Sequence, residues 1–548
     1  MNDERAAVPS SALDKPVVYT STVASAISDT SFVTAPPEIA VPTAAETLEE
    51  NARNVLSAGS CSSRSDIDII KEKEVDGNDS DCSGSSNSSN ERETFMERHD
   101  WEPVLSILNQ KLQQLLHMTL NPSGNNKLAV EDFQVVQRFN GGFNHIVMIK
   151  ATKISHTEHY IIRIPAVGTS ARWQEGDAHN TRCEMALLEH LQQNTTIPVP
   201  EAIAFDDTLK SCIGAPYCVM ERLPGKPAHT IWFEGQQKPD RITANHISAE
   251  TEAKRCNFLR SLAQAMAGLQ ALEFGKICAP DLEDGEASVT HLYRWTSPDE
   301  MSAEDLEGPG QIYQYGSFDS NAQYMTFKPD QPQSNTDGSD LADGSNIDED
   351  EESDDDEDDS TTNYRLGVQK IRSIIHSHPT LTHSSHTPTT PESFVLRNPD
   401  LDLQNILVDP HGNVTGILDW ENSIAVPRCV GFSSVPDFLR RDWRAGYSLT
   451  QLPHMTWQLE HHRQVYARAM METGALDAKF TAKSATYRAV VDAYSEGVPA
   501  DVVEKVLRCV PGLRLTDIEE LVELVGKGCG KAEEYLEAEI GKVLDPET

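Results

Sequence analysis

The chain has 548 residues and a formal net charge of −40 at pH 7, which argues against nucleic acid or an anionic membrane as a partner. No apolar run approaches the roughly 20 residues that a spanning helix needs, and the start, MNDERAAVPSSALDK, lacks a basic-then-apolar signal pattern. The ten cysteines are scattered with no Cys-x-x-Cys pair, so the simplest reading is a reduced, cytoplasmic protein with no clear protein partner.

Residues 1–95 are rich in Ser, Thr, Ala, Pro and Asn and read as a disordered tail. Order begins near Trp101. Trp101, Val104, Leu105, Leu108, Leu112, Leu115 and Leu116 recur at helical spacing and predict a leading helix. A strand over 133–138, a turn containing Gly141 and Gly142, and a second strand over 146–149 follow. Strand, glycine turn, strand is how kinases cover ATP phosphates, because glycine lets backbone N–H groups approach the anion. Neither a Walker A motif nor a GxGxxG fingerprint is present. The run YIIRIP, 160–165, reads as a third strand, with Arg163 where kinases place a phosphate-binding lysine. An amphipathic helix over 181–191 comes next, then strands over 202–205 and 217–220.

Apolar residues from Phe258 to Leu272 predict a long helix over 257–272, in the core of a helical lobe. The aromatics between 281 and 327 are read as packing residues of a less regular stretch. Fourteen acidic residues fall between Asp337 and Asp359 with no Lys or Arg, so 329–363 reads as a disordered acidic insertion. Leu366, Val368, Ile371, Ile374 and Ile375 resume a helix. His376, His378, His383 and His386 suggest zinc, but they lie in a Pro/Ser/Thr loop without cysteine, and the metal reading is set aside.

The richest stretch is FVLRNPDLDLQNILVDPHGNVTGILDWE, 394–421. Two β-prone runs joined by a Pro/Gly/Asn turn read as a hairpin. Folding it back brings Asp419 close to Asn405 and Asp400, three oxygen-bearing side chains at one end. Mg²⁺ takes hard oxygen ligands and binds through few carboxylates plus substrate phosphates. Asp419 and Asn405 are therefore the expected metal ligands, and Asp400 the group that orients an acceptor hydroxyl and takes its proton. A glycosidase pair of Asp400 and Asp402 is disfavoured, since alternation would point the two to opposite faces.

The segment PDLDLQNILVD…GILDWE resembles the catalytic segment of the aminoglycoside phosphotransferase-like, or choline-kinase-like, family. The continuation VPRCVG and Arg441-Asp442-Trp443 is similar to its filamentous-fungal members. The resemblance implies an α+β, bilobal protein-kinase-like fold that uses ATP and Mg²⁺ on a small-molecule hydroxyl acceptor. It implies that Gly-Gly-x-Asn (Gly141, Gly142, Asn144) is the phosphate loop. It also implies that Glu184 pairs with Arg163, and that VMERLPG is the hinge holding adenine around Met220, Glu221 and Leu223. The family places His two residues before the catalytic Asp, and this chain has Asn398 there.

The domain reading is a leading helix and nucleotide-binding lobe over 98–225, a helical catalytic lobe over 226–500 and a helical extension over 501–548. A competing reading, motivated by Asn398 and Arg163, is a catalytically weak or inactive relative acting as a nucleotide-binding scaffold. The acceptor could be a sugar, aminoglycoside, choline or homoserine-like alcohol, and fold does not choose among them.

Overall fold

A computed structural model of the chain describes residues 99–121, 128–153, 156–235, 244–282, 288–290, 292–295, 312–315, 317–326, 359–385, 390–444, 454–496, 499–513 and 517–547. The tail expected over 1–95 and most of the insertion expected over 329–363 lie outside these residues.

The small lobe is built on a helix, α1 (Asn109–Leu120), and an antiparallel five-stranded sheet. Its strands are β1 (Phe133–Asn140), β2 (Asn144–Thr152), β3 (Thr157–Pro165), β4 (Ala202–Asp206) and β5 (Tyr217–Glu221), in the order β1-β2-β3-β5-β4. Side chains alternate across this sheet. Val147, Ile149 and Ala151 of β2 and Tyr160, Ile162 and Ile164 of β3 are buried against Leu112, Leu115 and Leu116 of α1. Burying each such large aliphatic side chain contributes about 1.5–3 kcal/mol, which fixes the sheet register. The opposite face carries Ile146, Met148, Ile161 and Arg163, all half-buried. On this face Arg163 pairs across the strands with Ile146 and Cys218, and Ile161 with Met148 and Met220. Cys218 and Met220 join the core of the large lobe, so this face is turned toward it.

Between β3 and β4 runs α2 (Glu175–Asn194), longer at both ends than the helix expected over 181–191. The Asp177 carboxylate accepts the Gln174 N–H at 2.9 Å and stabilises the earlier start. After β5 the chain turns through Gly225 (φ +115°) into β6 (Lys226–Pro227). A Cβ at Gly225 would lie 2.9 Å from the Val408 carbonyl oxygen, so both the backbone angle and the close approach require glycine.

In the large lobe, α3 (Ala249–Ala267) starts earlier than the helix expected from 257, because Ser248 Oγ accepts the Thr251 N–H at 3.1 Å. A three-stranded sheet sets β8 (Phe394–Arg397) between β7 (Glu273–Phe274) and β11 (Ile424–Pro427). The expected hairpin is present as β9 (Ile406–Val408) and β10 (Val414–Ile417), with β6 on its other edge. Ile417 N–H donates to Pro198 O at 2.8 Å, tying the hairpin to the segment between α2 and β4.

A second core lies behind. Val368, Ile371 and Ile375 of α4 (Asp359–His376) pack with Val490 of α6 (Ser484–Glu496) and Val506 of α7 (Pro499–Cys509). Val522 and Val525 of α8 (Ile518–Gly526) and Leu536 and Ile540 of α9 (Gly530–Leu544) complete it. The intervening α5 (Thr456–Glu472) packs on α3. Helix α4 begins at Asp359, inside the stretch assigned to the acidic insertion. The described histidines of the 376–386 tract are engaged separately. His376 is half-buried in α4, His378 Nδ1 caps a short helix by accepting the Thr380 N–H, and His383 lies beside Glu392. Phe318 and Tyr324 pack edge-on at 5.4 Å, as the packing reading of the aromatics expects. Among the described residues no helix is long and apolar enough to cross a membrane.

Candidate active site

The turn after β8 and the end of β10 lie side by side. Pairing of β9 with β10 sets Ile406 opposite Ile417, and Leu418 N–H donates to Asn405 O at 2.8 Å. Asp419 is the next residue along. Asn405 Nδ2 donates to the Asp400 carboxylate (2.8 Å) and to the Asp400 carbonyl (3.0 Å). With its amide nitrogen so engaged, Asn405 keeps Oδ1 as an acceptor. Asp419 sits in the left-handed backbone region (φ +57°), a conformation that costs a non-glycine residue about 1–2 kcal/mol.

Asn398 joins the two halves of this arrangement. Its Nδ2 donates to the Asp419 carbonyl at 3.0 Å, and its Oδ1 accepts the Asp400 N–H at 2.9 Å. One side chain thus ties the loop carrying Asp400 to the strand end carrying Asp419. An amide suits this bridge, because it has a donor and an acceptor on one short stem.

Arg163 and Glu184 also meet. Arg163 Nη1 donates to Glu184 Oε1 at 2.9 Å and Nη2 donates to the second carboxylate oxygen, a bidentate pair. Both residues are nearly removed from water. Arg163 Nε is buried without a partner.

Electrostatically this region is short of positive charge. Burial, then the nearby Glu184 carboxylate, pushes the Asp419 carboxyl up to about 6, with Arg163 opposing. The same causes, with Asp419 added, push Glu421 up to about 7. Glu421 was given no role by the sequence reading. The signal was present: an acid two residues beyond Asp419 in a stretch already dense in oxygen ligands. Glu184, Asp419 and Glu421 share one guanidinium, and the donors are all hard oxygens. Asp419 and the free Oδ1 of Asn405 are oxygen donors of the kind a hard dication takes.

Asp400 stands at the border. Burial, then Asp402, raises its carboxyl, and Arg444 pulls the other way. Asp402 accepts the Leu403 N–H at 2.6 Å on one oxygen and Arg441 Nη2 at 2.7 Å on the other. It is a bracing residue of the loop, as its place in the turn suggested.

The glycine turn lies at the end of the β1–β2 hairpin. Gly141 N–H donates to Asn144 O and Ala166 N–H to Phe143 O, both at 2.8 Å. Neither Gly141 nor Gly142 has a positive φ, and a Cβ on Gly141 would meet only Asn144 O, at an ordinary 3.5 Å. The turn is braced by His145, whose Nδ1 donates to Asn140 Oδ1 (2.6 Å) while Nε2 accepts from Arg138 Nε (3.0 Å). Arg138 in turn donates to the carbonyls of Ile107 (2.8 Å) and Leu105 (3.1 Å). The leading segment therefore holds the glycine turn in place. At the hinge, Glu221 N–H donates to Glu201 O (3.0 Å) and Arg222 N–H to His159 O (3.2 Å). Leu223 N–H has no hydrogen-bond partner among the described residues. Gly141, Gly142 and Asn144 make no hydrogen bond to the 400–419 cluster among the described residues.

Residues 136–303 match the model of the phosphotransferase enzyme family. The matched residues run from β1 past α3 and stop short of Asp400, Asn405 and Asp419. A subtelomeric hrmA-associated cluster protein of Aspergillus fumigatus is 22% identical over 355 residues, 61% of this chain and 67% of that protein. Among solved structures, a thermostable mutant aminoglycoside phosphotransferase in ternary complex with AMP-PNP and hygromycin B is 11% identical. The alignment covers 79% of this chain and 98% of that one, with a TM-score of 0.31. The ethanolamine kinase of Plasmodium vivax is 12% identical over 79% of this chain and 97% of its own, with a TM-score of 0.31. The chain is α+β and bilobal, with a small antiparallel-sheet lobe and a larger, mainly helical one.

Proposed function

We propose that this protein is an ATP- and Mg²⁺-dependent phosphotransferase that moves the γ-phosphoryl group to a hydroxyl of a small molecule. The observation that carries the reading is the meeting of Asp400, Asn405 and Asp419, held together through Asn398.

In this reading adenine lies against the half-buried face of the small-lobe sheet, at Ile146, Met148 and Ile161. Its edge meets the backbone of Met220, Glu221 and Leu223, where the Leu223 N–H is free to donate. The turn at Gly141, Gly142 and Asn144 covers the phosphates. Arg163, oriented by Glu184, offers them its remaining N–H groups. Asp419 and Asn405 Oδ1 would hold Mg²⁺, which when bound neutralises charge on the phosphate oxygens. Asp400 accepts the acceptor's hydroxyl proton. The acceptor oxygen bonds to the γ-phosphorus, the bond from that phosphorus to the β–γ bridging oxygen breaks, and ADP leaves with the electron pair. Burial raises the proton affinity of Asp400, which suits a general base. The two departures from the family pattern leave the support roles filled, by the Asn398 bridge and the Arg163–Glu184 pair. That favours an active enzyme over a scaffold.

The test is AMP-PNP binding by calorimetry with and without Mg²⁺, together with ADP release over a panel of hydroxyl compounds. Binding should require Mg²⁺. Asp400→Asn should keep that binding and lose about 10²–10⁴-fold in turnover. Binding indifferent to Mg²⁺, with ADP release unchanged in Asp400→Asn, would sink the proposal.

A further inference from the structure

We infer that the acceptor is an anion: a small hydroxyl compound that also carries a carboxylate or phosphate group, seated on arginines beside Asp400. This inference rests on the phosphotransferase reading of the same site and names its substrate class.

The segment packed against the loop that carries Asp400 and Asp402 is rich in guanidinium groups. Gly431 allows the next turn to lie against Val395 of β8, where any Cβ would collide with that side chain. The turn then reaches the catalytic loop, and Asp437 N–H donates to Leu401 O at 3.2 Å. Asp437 is buried and draws in three arginines. Arg440 Nε donates to Oδ1 at 2.8 Å, Arg488 Nη1 donates to Oδ2 at 3.3 Å, and Arg444 Nη2 lies 3.5 Å from Oδ1. Arg440 has a second partner in Asp492 (2.7 Å), and Arg441 is paired with Asp402 (2.7 Å). Arg397, at the end of β8, is buried close to Arg488.

Five arginines, 397, 440, 441, 444 and 488, therefore share three aspartates, 402, 437 and 492. The excess is also visible in unmet donors. Arg397 Nε and Nη1, Arg441 Nε and Arg488 Nε are buried without a hydrogen-bond partner, and so are the hydroxyls of Ser433 and Ser434 in the same turn. Buried polar groups are nearly always paired, so a set of unpaired N–H donors calls for an acceptor from outside. The positive charge is not all buried. The side chains of Arg441 and Arg444 are 33% and 45% exposed. Arg444 is also close enough to act on the Asp400 carboxyl. A chain at −40 repels anions at long range, so these local arginines must supply any attraction. Their planar forks match carboxylate and phosphate geometry. The reacting hydroxyl must lie at Asp400, which places a charged group on the same small molecule within reach of Arg444 and Arg441. The transfer keeps the balance given above: the hydroxyl oxygen gains the phosphoryl group, Asp400 takes the proton, and the anionic group only anchors.

The test uses the full chain with MgATP and four small probes that differ in charge: glycerate, glycerol phosphate, glycerol and choline. ADP release should be stimulated by the two anions and not by glycerol or choline. The two anionic arms decide between carboxylate and phosphate. Arg444→Gln should raise KM for the stimulating anion about 10-fold or more and change kcat less, with KM for ATP unchanged and partial recovery in Arg444→Lys. Stimulation by choline or glycerol, or an anion KM indifferent to Arg444→Gln, would overturn the inference. If no probe stimulates turnover, calorimetry of the same probes in the presence of AMP-PNP and Mg²⁺ still decides. Anion binding lost in Arg444→Gln supports the site while the transfer reading fails, and no anion binding overturns the site itself.

Discussion

The two sides of the catalytic loop carry opposite surpluses. Around Asp419, the carboxylates of Glu184, Asp419 and Glu421 lie in the field of one guanidinium, Arg163, which is bonded to Glu184. Around Asp437, five arginines share three aspartates. In one region burial pushes carboxyls up. In the other, Arg488 and Arg440 hold Asp437 well below the usual carboxylate range although burial pulls it the other way. Burying a charge without a partner is costly, and on the readings proposed above a dication would complete one region and an oxyanion the other. Asn398 bonds to Asp419 on one side and to Asp400 at the border between them. The difference teaches that an unbalanced buried cluster describes its missing partner as well as any pocket shape does.

The comparison breaks most readily on the arginine side. Asp437→Asn leaves Arg440 and Arg488 buried with a neutral neighbour. It should cost about 3–5 kcal/mol in urea unfolding, with part of the loss recovered in high phosphate. An unfolding midpoint within error of the parent chain would show that Asp437 is not the hub described.

Next comes the bridge. Asn398→Ala removes two hydrogen bonds of roughly 1 kcal/mol each and should lower both stability and turnover. Asn398→His should recover much of the turnover, since imidazole can also donate and accept. Equal turnover in Asn398→Ala and the parent would mean that the bridge does not position Asp400 against Asp419.

The smallest effect has an unusual sign. Asp419 and Glu421 have raised pKa values in the fold. Their contribution is therefore favourable below the unfolded carboxylate value of about 4 and is lost as pH rises through about 6 and 7. In EDTA, Asp419→Asn should be more stable than the parent by about 1–2 kcal/mol at pH 8 and no more stable at pH 4.5. Asparagine also tolerates the left-handed backbone at 419. Thermal melts of both proteins across that range check this, and a difference independent of pH would count against an uncompensated carboxylate at 419.

Much of the site was legible because it is local. Asp400, Asn405 and Asp419 lie on one loop and one hairpin, and hairpin geometry follows from a turn signal between two β-prone runs. Strand alternation sets Arg163 on the half-buried face of the sheet with Ile146, Met148 and Ile161. Helix starts were less legible: the caps at Gln174–Asp177 and at Ser248 extend α2 and α3 beyond their apolar stripes, because a polar cap needs no hydrophobic periodicity.

By itself, then, the sequence determined the order of elements and the oxygen cluster, since both arise from contacts between near neighbours along the chain. Only the tertiary structure decided that Arg397, Arg440, Arg444 and Arg488 gather behind Asp400, that Glu421 joins Asp419 and Glu184, and that Asn398 bridges the two sides. Those meetings depend on packing of β8, the 431–444 turn and α6, which no local periodicity encodes. Charge that looks evenly solvated along a chain becomes a surplus only when burial withdraws it from water.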